Sequence, residues 1–166
     1  PEMVIAGYYP HDLLLREDFI NANLEALEQL KEKTRGTNVT LAVGVITKNH
    51  GVGKPLNNGV ILIKDGKEIF NVNKKLLPTY NIFDEGRHFE PGTTTNVFEF
   101  MGKKIGFLIC EDIWNDQAED YKVNPVKDAI DDGAEMIISL NSSPSNLGKL
   151  TQRLSLFGNK YKKYNV

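Results

Sequence analysis

The chain has 166 residues, 40% of them apolar and 25% charged, and twenty basic against twenty-two acidic side chains give a formal net charge of −2. That balance suits one soluble globular domain with a hydrophobic core and excludes a disordered or low-complexity chain. No basic stripe interleaved with aromatics points to nucleic acid, no apolar run could span a bilayer, and the single cysteine, Cys110, excludes a disulfide framework and a cysteine-based zinc site.

Pro1-Glu2-Met3-Val4-Ile5-Ala6-Gly7 reads as the tail of a strand and lacks the basic and apolar regions of a signal peptide, so a cytoplasmic piece of a longer polypeptide is expected. Arg16 to Lys33 carries Phe19, Ile20, Leu24, Leu27 and Leu30 at helical spacing, and Thr34-Arg35-Gly36 ends the helix. Thr40 to Ile46 predicts a buried strand. Gly59 to Ile63 and Glu68 to Val72 flank Asp65-Gly66, a hairpin signal, and Asn96 to Phe100 with Lys104 to Ile109 make a second hairpin around Met101-Gly102-Lys103. Pro125 to Asp132 predicts a short helix capped by Asn124, Ile137 to Leu140 a strand, and Leu150 to Tyr164 a helix. Strands and helices mix throughout, so the fold class is α/β.

Cys110 ends the apolar run 105–109 and is followed at once by Glu111 and Asp112. A parallel sheet delivers reactive groups in this way, to the crevice at the carboxyl end of a strand. The plainer reading is a small buried hydrophobe. Glu2, Lys74 and the segment Asn141-Ser142-Ser143-Pro144 also lie beside apolar runs. A cysteine, a carboxylate and a lysine are the parts needed to attack an amide or nitrile carbon. The carboxylate takes the thiol proton and returns it to the leaving amine, while the ammonium stabilises the oxyanion. Each residue alone has a simpler explanation: Glu2 as a solvated terminal residue, Lys74 with Lys75 as a solvated edge, Phe107 and Trp114 as core. Gly51-Val52-Gly53-Lys54-Pro55 has proline where a phosphate loop needs Ser or Thr, and Gly148-Lys149 lacks the upstream glycine spacing. His11, His50 and His88 show no ligand spacing and read as surface residues.

Taken in order, Pro1-Glu2, Lys74 to Tyr80 and Leu108 to Trp114 resemble the glutamate, lysine and cysteine motifs of the nitrilase (carbon–nitrogen hydrolase) superfamily. Gly7-Tyr8-Tyr9-Pro10-His11-Asp12-Leu13-Leu14-Leu15-Arg16, the stretch Leu77 to Phe89, and Asn141-Ser142-Ser143-Pro144 with Gly148-Lys149 resemble the glutaminase domain of glutamine-dependent NAD synthetases. That resemblance implies an αββα sandwich of the nitrilase type. Because family domains start earlier and run further, residues 1–166 are expected to be a partial carbon–nitrogen hydrolase domain, incomplete at both ends. It implies Glu2 as general base, Lys74 as oxyanion stabiliser and Cys110 as nucleophile. Lys75 is the rival of Lys74, and the family count of three residues before Leu77 favours Lys74. Tyr80, Glu111 and Ser143 would line the glutamine pocket. Asn141 and Ser142 depart from the small residues expected there.

The implied reaction hydrolyses the glutamine side-chain amide through a γ-glutamyl thioester and passes ammonia to a synthetase domain absent from this chain. No metal or organic cofactor is implied in this domain; ATP and Mg belong to the synthetase domain. The full-length protein is expected to be a homo-oligomer with no nucleic-acid or membrane partner. Two alternatives stay open: an amidase of another nitrilase branch acting on a different small amide, and a non-catalytic module.

Overall fold

The computed structural model of the chain describes residues 1–115 and 121–164. Two three-stranded sheets face each other. In the first, β1 (Thr40–Lys48), β2 (Leu56–Lys64) and β3 (Lys67–Asn73) pair antiparallel in sequence order. In the second, β4 (Val97–Phe100) pairs antiparallel with β5 (Lys103–Ile109), which pairs in parallel with β6 (Met136–Leu140). Both predicted hairpins form around two-residue turns, Asp65-Gly66 and Met101-Gly102. All four residues have positive φ (47°, 74°, 53° and 75°), the backbone whose twist matches that of the flanking strands.

Packing builds four layers. Helix α1 (Glu17–Thr34) sets Leu27 against Val43, Val45, Ile61 and Ile63 on the outer face of the first sheet. Between the sheets, Val60, Leu62 and Val72 meet Ile105, Phe107, Ile109 and Leu140. Helices α3 (Pro125–Asp131) and α4 (Lys149–Tyr164) cover the outer face of the second sheet, where Val126 and Leu156 pack on Leu108 and Ile113. The expected α/β class and αββα layering are what the structure has. Asn124 caps α3 as predicted, its side chain accepting the Lys127 N–H at 3.1 Å.

Three expectations need correction. Residues 2–6 form turns rather than a strand tail: Gly7 N–H returns to the Met3 carbonyl at 2.8 Å, and Val4 N–H donates to the Gly44 carbonyl at 2.9 Å. This segment crosses β1 at Gly44, where nothing larger than hydrogen fits. A Cβ there would lie 2.2 Å from the Pro1 carbonyl oxygen and 2.9 Å from Glu2 Cα. Strand β2 starts at Leu56, not Gly59, because Asn57 and Asn58, poor strand formers in isolation, pair with Thr47 and Ile46. His88 is buried, on the unpredicted short helix α2 (Glu85–His88), whereas His11 and His50 are exposed. Burial and the neighbouring Arg87 hold its imidazole below the usual histidine range.

Candidate active site

Strand β5 ends at Ile109, and Cys110 opens a short 3-10 helix, Cys110–Ile113, with φ of 45°. A non-glycine residue in this left-handed region is uncommon, and such strain collects at functional sites. Asp112 holds the turn in place. Its fully buried carboxylate accepts the Ile109 N–H at 3.0 Å and the N–H groups of Lys75 and Leu76 at 3.1 and 2.9 Å. One side chain thus ties the cysteine turn to the segment after β3 that carries Lys74. Burial pushes the Asp112 carboxyl up to about 6, against the lowering effect of those backbone donors.

Lys74 is 1% exposed, and its ammonium lies 2.7 Å from Glu2 Oε1 and 2.7 Å from Glu85 Oε1. Burial alone would lower its pKa, but the two carboxylates outweigh that effect and keep the lysine charged. Lys75 pairs instead with Asp128 at 3.0 Å. Glu2 is 1% exposed, so it is no solvated terminal residue. Its Oε1 also accepts Asn58 Nδ2 at 2.7 Å, whereas Oε2 has no hydrogen-bond partner. Glu85 receives Tyr8 OH at 2.8 Å, and burial raises its carboxyl above the usual range despite Lys74 beside it.

Cys110 stands beside this cluster. Burial, and next the Glu2 charge, push its thiol up to about 11, while Lys74 and hydrogen bonds from Ser143 and the Ser142 backbone pull the other way. The sulfur is therefore protonated at neutral pH, and its use as a nucleophile requires a base. The Ser143 hydroxyl lies 3.1 Å from Sγ, and either atom can donate. Sulfur, carboxylate and ammonium together can open an amide carbon to attack.

A cleft of about 490 Å³ opens onto Cys110 between Tyr8, Tyr80, Glu111, Trp114 and Ser143. Glu111 is buried, and its carboxylate accepts hydroxyls from Tyr80 and Tyr121, each at 3.0 Å. Trp114 is half-buried and lines the cleft as well as packing on the core, with the Lys149 ammonium 4.0 Å from its ring centroid. Phe107 is core, as read. Asn141 folds back onto the Ser139 carbonyl at 3.0 Å, and neither it nor Ser142 lines the cleft.

Of the six sequence candidates, Cys110, Tyr80, Glu111 and Ser143 line the cleft, and Glu2 and Lys74 form the buried ion pair whose charges act on Cys110. Sequence reasoning missed Glu85, Asn58, Tyr8 and Tyr121. Glu85 lay inside the stretch Leu77 to Phe89 that carried the resemblance, so it was visible without a role.

Among the described residues no group of three His, Cys, Asp or Glu side chains is set to hold a metal, and no helix is long and apolar enough to cross a membrane. The glycine-rich loop 51–55 wraps a carboxylate, Lys54 N–H donating to Glu90 Oε2 at 2.9 Å, which is no setting for a phosphate.

Residues 1–158 match the carbon-nitrogen hydrolase family. The whole chain aligns at 38% identity with 31% of the glutamine-dependent NAD(+) synthetase of Synechocystis sp., and at 34% identity with 27% of that of Thermotoga maritima. It therefore spans less than a third of the length of these curated relatives. The solved structure of the glutamine-dependent NAD+ synthetase from Acinetobacter baumannii superposes on 99% of the chain with a TM-score of 0.86 and 34% identity, over 29% of that protein. A nitrilase-superfamily amidase from Nesterenkonia shares the fold at a TM-score of 0.72 and 17% identity, covering 92% of this chain and 54% of the amidase. With the layered fold and the match over 158 of its residues, this chain belongs to the carbon-nitrogen hydrolase family.

Proposed function

We propose that this chain hydrolyses the side-chain amide of glutamine through a thioester on Cys110. The observation that carries the reading is the buried Glu2–Lys74 pair, held at 2.7 Å next to a protonated thiol at the floor of a substrate-sized cleft. Glu2 Oε2, the carboxylate oxygen without a partner, accepts the thiol proton as sulfur attacks the amide carbon. The Lys74 ammonium stabilises the oxyanion of the tetrahedral intermediate. Glu2 returns the proton to the amide nitrogen, ammonia leaves, and the γ-glutamyl thioester remains. Water then attacks the thioester carbon with Glu2 again as base, releasing glutamate and restoring the thiol. Glu85 holds Lys74 in its charged form and is itself held by Tyr8.

The wall of the cleft favours glutamine over a simple amide. Glu111 presents a carboxylate steadied by Tyr80 and Tyr121, which suits the α-ammonium of an amino acid and serves no purpose for an uncharged amide. The same reading makes the released ammonia the substrate of a synthetase domain elsewhere in a cytoplasmic, homo-oligomeric protein. ATP and Mg2+ would act in that domain. The test is ammonia release from glutamine by the whole protein and by its Cys110→Ala variant. The proposal expects turnover in the first and none in the second; equal turnover in both would overturn it.

A further inference from the structure

Asn58 touches Lys74, Glu2 and Glu85. Its backbone carbonyl accepts the Lys74 N–H at 2.8 Å. Its side-chain Nδ2 donates to Glu2 Oε1 at 2.7 Å and reaches Glu85 Oε2 at 3.4 Å. With carboxylates on this side, only the NH2 end of the amide can face them. The other end, Oδ1, is buried without a hydrogen-bond partner in a side chain that is 1% exposed. An unsatisfied buried carbonyl is unfavourable, and an apolar residue of similar size would avoid it. The asparagine is therefore costly as packing, and what it supplies is the N–H donor.

We propose that Asn58 is a positioning residue that makes Glu2 a base rather than only the counter-ion of Lys74, an inference that rests on Glu2 as general base. Lys74 and Asn58 both bind Oε1, so Oε1 is saturated and Oε2 is left free to take the thiol proton. Two donors on one oxygen also stabilise the ionised carboxylate, the only form that can accept a proton. The charged and titratable groups around Glu2 come from every side: Lys74 after β3, Glu85 on α2, Tyr8 on its own segment and Cys110 after β5. Asn58 is the neutral donor among them, and its removal leaves Lys74 as the single hydrogen-bond donor to Glu2 among the described residues.

The test is the pH profile of kcat/KM for glutamine hydrolysis in the whole protein, for the parent, Asn58→Leu, Asn58→Ala and Glu2→Gln. Loss of a hydrogen bond to a charged group favours the protonated carboxyl, so both Asn58 variants should shift the acidic limb to higher pH by about one unit. Activity then falls about tenfold on the acidic side and recovers as pH rises. Asn58→Ala, which removes the donor without adding bulk or charge, carries the test if the leucine variant does not fold. A loss by the same factor at every pH, which a merely structural role gives, would overturn the inference, as would an unmoved limb. Full activity in Glu2→Gln would instead remove the general-base reading on which it rests.

Discussion

Gly44→Ala should disable the chemistry without touching a catalytic side chain. The added methyl would lie 2.2 Å from the Pro1 carbonyl oxygen, 2.8 Å from Met3 N and 2.9 Å from Glu2 Cα, all backbone atoms that no rotamer change can move. Restoring ordinary contact with the nearest requires the segment carrying Glu2 to withdraw from β1 by about 1 Å, and a misplacement of that size costs on the order of 10²-fold in rate. The Val4–Gly44 hydrogen bond that anchors the segment would be strained by the same shift. Tyr80 and Glu111 stand on other elements, so the loss should fall on kcat, with KM close to that of the parent. Steady-state ammonia release reads both constants. Gly51→Ala is the control, since a Cβ there meets only the Asn49 side-chain oxygen, at 3.3 Å. Parent-like kcat in Gly44→Ala, or a loss carried by KM alone, would refute the placement of Glu2 as base.

Other consequences follow from the charges. Lys74→Met leaves Glu2 and Glu85 buried without their cation, so activity should vanish and stability should drop by about 3–5 kcal/mol. The drop should shrink as pH falls and the Glu85 carboxyl, which burial raises above the usual range, protonates, which denaturant titration at two pH values would show. The Cys110 thiolate should appear in ultraviolet absorbance with a midpoint near 11 rather than 9, and lower in Glu2→Gln, because the Glu2 charge is the second cause of the shift after burial. Between pH 9 and 11 the folded chain holds this proton more firmly than the unfolded one, so folding stability attributable to Cys110 should fall as pH rises, by about 1.4 kcal/mol per pH unit. Glu111→Gln should raise KM for glutamine by roughly 10- to 150-fold, the equivalent of about 1.5–3 kcal/mol for a hydrogen bond to a charged group, with a smaller change in kcat.

The α/β class was legible because its elements follow local rules: Asp65-Gly66 and Met101-Gly102 mark the two hairpins, α1 keeps a helical apolar period and β5 is an unbroken apolar run, whereas the αββα layering came only from the family resemblance. Cys110, Glu2 and Lys74 were legible only through the order of their motifs, since singly each had a plainer reading. What stayed hidden breaks local rules for the sake of the site. Asn57 and Asn58 are poor strand residues, yet they lie in β2 because backbone pairing to β1 holds both, with Asn57 donating to the Glu90 carbonyl and Asn58 to Glu2 and Glu85. Helix α2 is four residues long, too short to show a helical period, and its first residue is the buried Glu85. Tyr8 and Tyr121 act through hydroxyls aimed at Glu85 and Glu111, carboxylates distant from them in sequence, which no spacing reveals. Functional sites are where consistency between local propensity and fold is expected to fail.

Acylation of Cys110 by glutamine is the step on which the proposed reaction stands. Rapid acid quench of the whole protein with glutamine, followed by intact-mass and peptide analysis, tests it most directly. One γ-glutamyl group should appear on Cys110, absent from Cys110→Ala and strongly depleted in Glu2→Gln. Glutamine turnover that proceeds in Cys110→Ala, with no adduct on the parent protein, would contradict it.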